Sequence, residues 1–246
     1  MRLLVSVRSA GEADAAVLGG ADIIDAKEPL RGSLGPVTPR VLGGILDRVP
    51  PDREASAALG DFTDARSVQE CIGALPQIPR AAPVYLKLGF AGLSSAREVG
   101  ALIRAARAAA ELVASSAPVI AVSYADSEQA GTLPPESLAE AAIGAGAAGL
   151  LVDTHTKGQG HLFQWMAPER LHSLFQEVRR AGLLTAAAGS LGADQLDLVR
   201  AVGPDIVGFR GAICEGGREA RASQEKIERL HRALCDFGIS SPGSFT

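Results

Sequence analysis

Lysine is nearly absent from this chain of 246 residues, which carries four lysines against 20 arginines. Aromatic residues are also few, at seven Phe, two Tyr and one Trp, so there is no platform on which bases could stack. With a net charge of -4 and a pI of about 5.6, the chain offers nucleic acid no general attraction, and none is expected as a partner. No uninterrupted apolar run approaches the ~18 residues of a membrane span, and no charged-then-apolar leader opens the sequence. A cytoplasmic protein without a membrane partner is the expectation. The three cysteines, Cys71, Cys214 and Cys235, are odd in number and widely spaced, which disfavours a disulfide framework or a Cys-x-x-Cys metal site. They read as buried small residues. Among the four histidines, His155 and His161 lie six apart and His172 and His231 fall in helix-like segments, so no metal is implied.

What is present is alternation. Strand-length apolar runs recur at 3–7, 22–27, 54–60, 84–89, 119–124, 149–153, 183–188 and 205–209. Helix-like segments intervene at 13–18, 39–48, 95–114, 168–181 and 193–201, and one spans 222–237 after the last run. Eight such units in one chain predict a single (β/α)8 TIM barrel over 1–239, with a loose tail at 240–246. An open doubly wound sheet fits less well, because the first strand is not followed by Gly-x-Gly-x-x-Gly. The one near match, Gly144-x-Gly146-x-x-Gly149, precedes a strand. Pro134-Pro135 reads as a short joint.

Three of the scarce lysines, Lys27, Lys87 and Lys157, sit at or just past the ends of apolar runs. Arginine already serves the surface, and lysine differs from it in being able to lose its proton, attack a carbonyl and relay protons. In Asp22-Ile-Ile-Asp-Ala-Lys27 the period-two alternation puts Asp25 and Lys27 on one face, with Ile24 and Ala26 on the other. In a barrel that face is the lumen, near the C-terminal end where active sites lie. Lys87 is expected to point inward between Leu86 and Leu88, and Asp153 to join from the sixth strand with Lys157 in the loop above. The plainer alternative is that these residues form ion pairs along the barrel rim. Lys226, among Gln224, Glu225 and Glu228, reads as solvated.

The seventh and eighth strands end in Ala188-Gly189-Ser190 and Gly208-Phe-Arg-Gly-Ala212, with Gly216-Gly217-Arg218 beyond. Loops at these two positions commonly cradle phosphate through glycine amides and a helix N-terminus. Gly189, Ser190, Arg210, Gly211 and Ala212 are therefore the candidate phosphate ligands, with Arg210 as a bidentate contact.

These residues carry a resemblance. Leu3-Leu-Val-Ser6, Gly19-Gly-Ala-Asp-Ile-Ile-Asp-Ala-Lys27 through Gly32-Ser-Leu-Gly35, Gly60-Asp61, Lys87-x-Gly89, Tyr124-Ala-Asp126, Asp153-x-x-x-Lys157, Ala188-Gly-Ser190 and Val207-Gly-Phe-Arg-Gly-Ala212 follow one another along nearly the whole chain. In this the chain resembles the (5-formylfuran-3-yl)methyl phosphate synthase family of methanofuran and methylofuran biosynthesis. The resemblance implies a barrel lyase that condenses two molecules of the triose phosphate glyceraldehyde 3-phosphate into a phosphorylated furan aldehyde. It also implies that Lys27 is the Schiff-base lysine, Lys87 the acid/base lysine, and Asp25, Asp153 and Lys157 supporting groups. A homo-oligomer is the expected assembly. Departures from the family surround the motifs, at Glu28-Pro-Leu-Arg31 and Ser123. The competing readings are a Schiff-base aldolase or transaldolase on triose phosphates, and a non-catalytic sugar-phosphate-binding barrel.

Overall fold

The computed structural model describes residues 1–51, 53–76, 82–113 and 117–235. Eight parallel strands close on themselves in sequence order: β1 (Arg2–Val7), β2 (Ile23–Ala26), β3 (Glu54–Asp61), β4 (Val84–Gly89), β5 (Val119–Tyr124), β6 (Gly149–Asp153), β7 (Leu184–Ala187) and β8 (Ile206–Phe209). Around them run α1 (Ala10–Leu18), α2 (Pro39–Leu46), α3 (Ala65–Gly73), α4 (Ala96–Val113), α5 (Ser127–Ala130), α6 (Pro135–Gly144), α7 (Leu162–Trp165), α8 (Pro168–Arg180), α9 (Leu196–Val202) and α10 (Gln224–Cys235). This is the (β/α)8 barrel, and β1 pairing with β8 closes it.

Alternation along each strand builds two cores. Outward residues such as Val5, Ile24, Leu86, Leu88, Val152 and Val207 pack against helices such as α4 and α8 in one large cluster. Inward residues such as Leu4, Ile23, Tyr85, Ile120, Leu151 and Ile206 form a second, smaller cluster that fills the lower lumen. Above that plug, the same inward register turns polar: Ser6, Asp25, Ser56, Lys87 and Asp153 are all buried. At the opposite, N-terminal end the lumen is closed by an ion pair of Arg2 with Glu54, which also accepts from the Tyr85 hydroxyl at 2.8 Å.

Helix ends follow their local chemistry. Ser9, Thr38 and Asp64 cap α1, α2 and α3 by accepting from the backbone amides of Glu12, Val41 and Ser67. The Pro134-Pro135 pair is not a joint but the start of α6. Pro135 occupies the first turn, where a missing N–H leaves no hydrogen bond unmade. Of the cysteines, only Cys214 is buried; Cys71 is half-buried and Cys235 exposed, because the last faces outward on the final turn of α10. Lys226 is not simply solvated either, since its ammonium donates to the Cys214 carbonyl. The tail expected at 240–246 lies outside the described residues.

Candidate active site

Asp25 is fully buried and accepts three hydrogen-bonding groups. Ser6 Oγ lies at 2.8 Å, Ser56 Oγ at 2.7 Å, and Lys87 Nζ reaches across β3 to 2.7 Å. The two serines sit beside Asp25 in the strand register, so three neighbouring strands build one carboxylate pocket. Burial alone would raise the Asp25 pKa, but the charges of Lys87 and Lys27 outweigh it and hold the carboxyl below its usual range.

Asp153 anchors the second half. Its Oδ1 accepts from Lys157 Nζ at 2.8 Å and from the Thr154 amide at 2.7 Å, while Oδ2 faces Lys27 Nζ at 3.7 Å. Here too burial opposes ionisation and is overcome by Lys157 and Lys27, which bring the pKa to about 2. Lys157 also bonds the Thr154 carbonyl and hydroxyl. Asp126 then fixes the loop: its buried carboxylate takes the amides of His155 and Thr156 at 2.6 and 2.7 Å. Lys157 is thereby held over Asp153 by residues on two different strand-to-helix loops.

Lys27 is the least satisfied charge of the group. It is 7% exposed, and among the described residues its only ion pair is the long one to Asp153, not one to Asp25 two residues before it. Desolvation lowers its pKa; Asp153 and Asp25 pull it back up, Lys157 and Lys87 push it down, and the balance falls at about 8. About one-tenth of the amine is then neutral at neutral pH, against roughly one part in 3,000 for a lysine at 10.5. Burial beside two other lysines and two carboxylates therefore yields an amine able to act as a nucleophile.

Further polar groups at the rim were not singled out from sequence. Tyr124 Oη donates to Asp61, with Oδ1 at 2.9 Å, and Ser33 Oγ donates to Tyr124 Oη at 3.3 Å. Burial, then the charge of Asp61, holds the phenol well above its ordinary pKa, so it stays protonated. Gly89 makes this arrangement fit: a Cβ there would collide with Asp61 Oδ1 and lie 2.7 Å from both Leu34 Cδ1 and Tyr124 Oη. Tyr124 and Asp61 lie inside segments that carried the resemblance, but neither residue type at that spacing announces the contact.

A cavity of 310 Å³ is lined by Lys27, Lys87, Asp153 and Lys157 together with Gly189, Ser190, Gly211, Ala212 and Arg218. Gly189 and Ser190 both adopt left-handed backbone, with φ of 112° and 51°. For a serine that conformation is uncommon, and it turns the chain sharply at the cavity wall. Among the described residues, the amides of Gly189, Ser190, Gly211 and Ala212 donate to no protein acceptor.

Arg210 departs from its expected role. Its guanidinium has five N–H donors, and five acceptors meet them: Nε–H goes to the Arg218 carbonyl, Nη1 to the Ser6 carbonyl and Glu12 Oε2, Nη2 to Glu12 Oε1 and the Ala220 carbonyl. No donor is left for a bidentate phosphate contact. Glu12 in turn takes the amides of Arg8 and Ala222, which ties α1 to the loop after β8. Among the described residues, no group of three or more His, Cys, Asp or Glu could hold a metal ion. No described helix is long and apolar enough to cross a membrane.

A buried cluster of lysines and carboxylates at the C-terminal mouth of a closed parallel barrel defines the class, a (β/α)8-barrel enzyme. The family profile described as 4-HFC-P synthase matches residues 3–231. The chain is 37% identical over 237 residues to the (5-formylfuran-3-yl)methyl phosphate synthase of Methanopyrus kandleri, covering 95% of this chain and 98% of that one. It is 34% identical over 242 residues to the synthase of the same name from Methanothermobacter thermautotrophicus, covering 96% and 100%. Among solved structures, KGPDC from Streptococcus mutans superposes with a TM-score of 0.62 at 16% identity, covering 96% of this chain and 98% of that one, a likeness of fold alone. The chain belongs to the (5-formylfuran-3-yl)methyl phosphate synthase family.

Proposed function

We propose that the protein condenses two molecules of glyceraldehyde 3-phosphate into (5-formylfuran-3-yl)methyl phosphate, releasing one phosphate and two waters through a Schiff base on Lys27. The observation that carries this reading is the buried Lys27 amine, with its pKa at about 8 and no close partner among the described residues. Its neutral form attacks the aldehyde carbon of one triose. The carbinolamine then loses water to an iminium ion, which acidifies the neighbouring C–H.

Lys87, paired with Asp25, and Lys157, paired with Asp153, act as the proton carriers. They remove the acidified proton, protonate the second aldehyde as the carbon–carbon bond forms, and assist the departure of phosphate and water that leads to the aromatic ring. Hydrolysis of the iminium takes up one water, for the one lost when it formed, and frees the aldehyde from Lys27. Three cations facing two carboxylates leave the lumen with a net positive charge, which suits a dianionic substrate. The amides of Gly189, Ser190, Gly211 and Ala212 take a phosphate of the substrate in the cavity that Lys27 also lines. The protein acts on a small-molecule triose phosphate in the cytoplasm as a homo-oligomer, with one barrel domain and no cofactor.

Incubating the purified protein with glyceraldehyde 3-phosphate tests the reaction. Furan absorbance should grow together with one inorganic phosphate per furan formed. An aldol product that keeps both phosphates would replace this reading with an aldolase, and unchanged substrate would leave only a binding role.

A further inference from the structure

The loop after β8 contains two arginines at the cavity, and the structure treats them in opposite ways. Arg210 has all five donors engaged by Glu12 and three carbonyls. Arg218 is half-buried, lines the cavity, and among the described residues makes a single hydrogen bond, from Nη2 to the Gly32 carbonyl at 3.0 Å. Its remaining donors meet no acceptor among those residues.

The backbone around Arg218 explains its aim. The Arg218 carbonyl receives Arg210 Nε–H at 2.8 Å, and the Ala220 carbonyl receives Arg210 Nη2 at 2.8 Å, so the saturated arginine pins the loop at and just beyond its neighbour. The Arg218 Cβ packs beside Gly211, 3.9 Å from where a side chain on that glycine would begin. The bond to Gly32 steadies the far end of the guanidinium across the barrel mouth. A planar cation is thus held at the wall that also presents the undonated amides of Gly211, Ala212, Gly189 and Ser190. A fork of free N–H donors beside free amides matches the oxygens of a phosphate monoester.

We propose that Arg218 is the side chain that binds the substrate's phosphate, and that Arg210 is a positioning residue that holds the Arg218 loop through Glu12. The inference rests on the proposed reaction for the identity of the substrate but not for the phosphate site itself. Desolvation at the cavity wall lowers the Arg218 pKa from its usual value, and the guanidinium stays charged throughout the working range.

The test compares Arg218→Met and Arg218→Lys with the wild type, using inorganic phosphate, glyceraldehyde 3-phosphate and unphosphorylated glyceraldehyde as probes. Calorimetric titration with inorganic phosphate should show affinity weakened on the order of tenfold or more in Arg218→Met, with Arg218→Lys recovering part of it. KM for glyceraldehyde 3-phosphate should rise by a similar factor, and the loss for this ligand should exceed that for glyceraldehyde by about tenfold. A melting temperature near wild type would show that the variant folds. Unchanged phosphate affinity, or an equal loss for both aldehydes, would overturn the proposal, because a merely structural arginine would not distinguish them. If the wild type binds phosphate through Arg218 yet makes no furan, the proposed reaction fails and this inference stands. If furan forms while Arg218→Met binds phosphate normally, the reverse holds.

Discussion

Two regions of this barrel bury cations, and they do so to different ends. At the β8–α1 corner, Arg210 meets an acceptor with every one of its donors, and Glu12 is saturated in return. Across the lumen between β2 and β6, Lys27 is buried as deeply but among the described residues has one carboxylate, at 3.7 Å. The first arrangement fixes a charge, and the second leaves one that is readily lost. Burial is common to both, and the difference lies in how fully the buried donors are met and in lysine being able to lose its proton.

The comparison can be broken from the chemical side first. Lys27→Arg keeps charge and length but cannot shed its proton, and kcat should fall by about 10³-fold or more with the fold retained. Lys27→Met should be inactive yet more stable. The unfolded lysine takes up a proton below pH 10.5 and the folded one only below about 8, so the folded state carries a penalty that is complete below pH 8. Removing it should gain on the order of 1–3 kcal/mol near neutral pH, read by denaturant unfolding. An inactive variant with lower stability would count against a strained lysine.

From the structural side, Arg210→Met leaves the buried Glu12 with Arg8, at 3.6 Å, as its remaining cation among the described residues and should lose about 3–5 kcal/mol of stability. Loss of substrate affinity should follow through the loosened 211–222 loop. A variant that melts like the wild type but has a raised KM would return Arg210 to the phosphate.

A smaller effect is expected at Asp126. Asp126→Asn keeps the shape but replaces the charge-assisted bonds to His155 and Thr156, loosening the loop that carries Lys157. We expect kcat to drop roughly tenfold with KM little changed. The smallest is an electrostatic shift. Lys87→Met removes a positive charge near Lys27, which should move the Lys27 pKa upward. Imine formation measured against pH reads that shift, and an unmoved profile would mean that the two lysines are not coupled.

Much of this geometry is legible in the sequence because a strand's alternation is strict. Asp25, Lys27, Lys87 and Asp153 point into the lumen for the same reason that Ile24, Leu86, Leu88 and Val152 point out of it. The pairing is not legible. Lys87 crosses a whole strand to Asp25, and Lys27 turns from its sequence neighbour to Asp153, choices set by barrel curvature and side-chain reach. Arg210 misled for a related reason: its position after β8 suits a phosphate, but the acidic residue that claims it, Glu12, lies on α1, far away in sequence. Tyr124, Asp61 and Ser33 come together from three distant segments with no local pattern, and Pro135 opens a helix where a proline pair suggested only a turn.

The central claim is that Lys27 is a partly neutral nucleophile, and reductive trapping tests it directly. Wild-type protein incubated with glyceraldehyde 3-phosphate and a borohydride reductant should carry a three-carbon adduct on Lys27, found by peptide mass mapping. The trapping rate should rise with pH to a midpoint near 8. An adduct on Lys87, Lys157 or Lys226, no adduct at all, or a midpoint near that of an ordinary exposed lysine would contradict it.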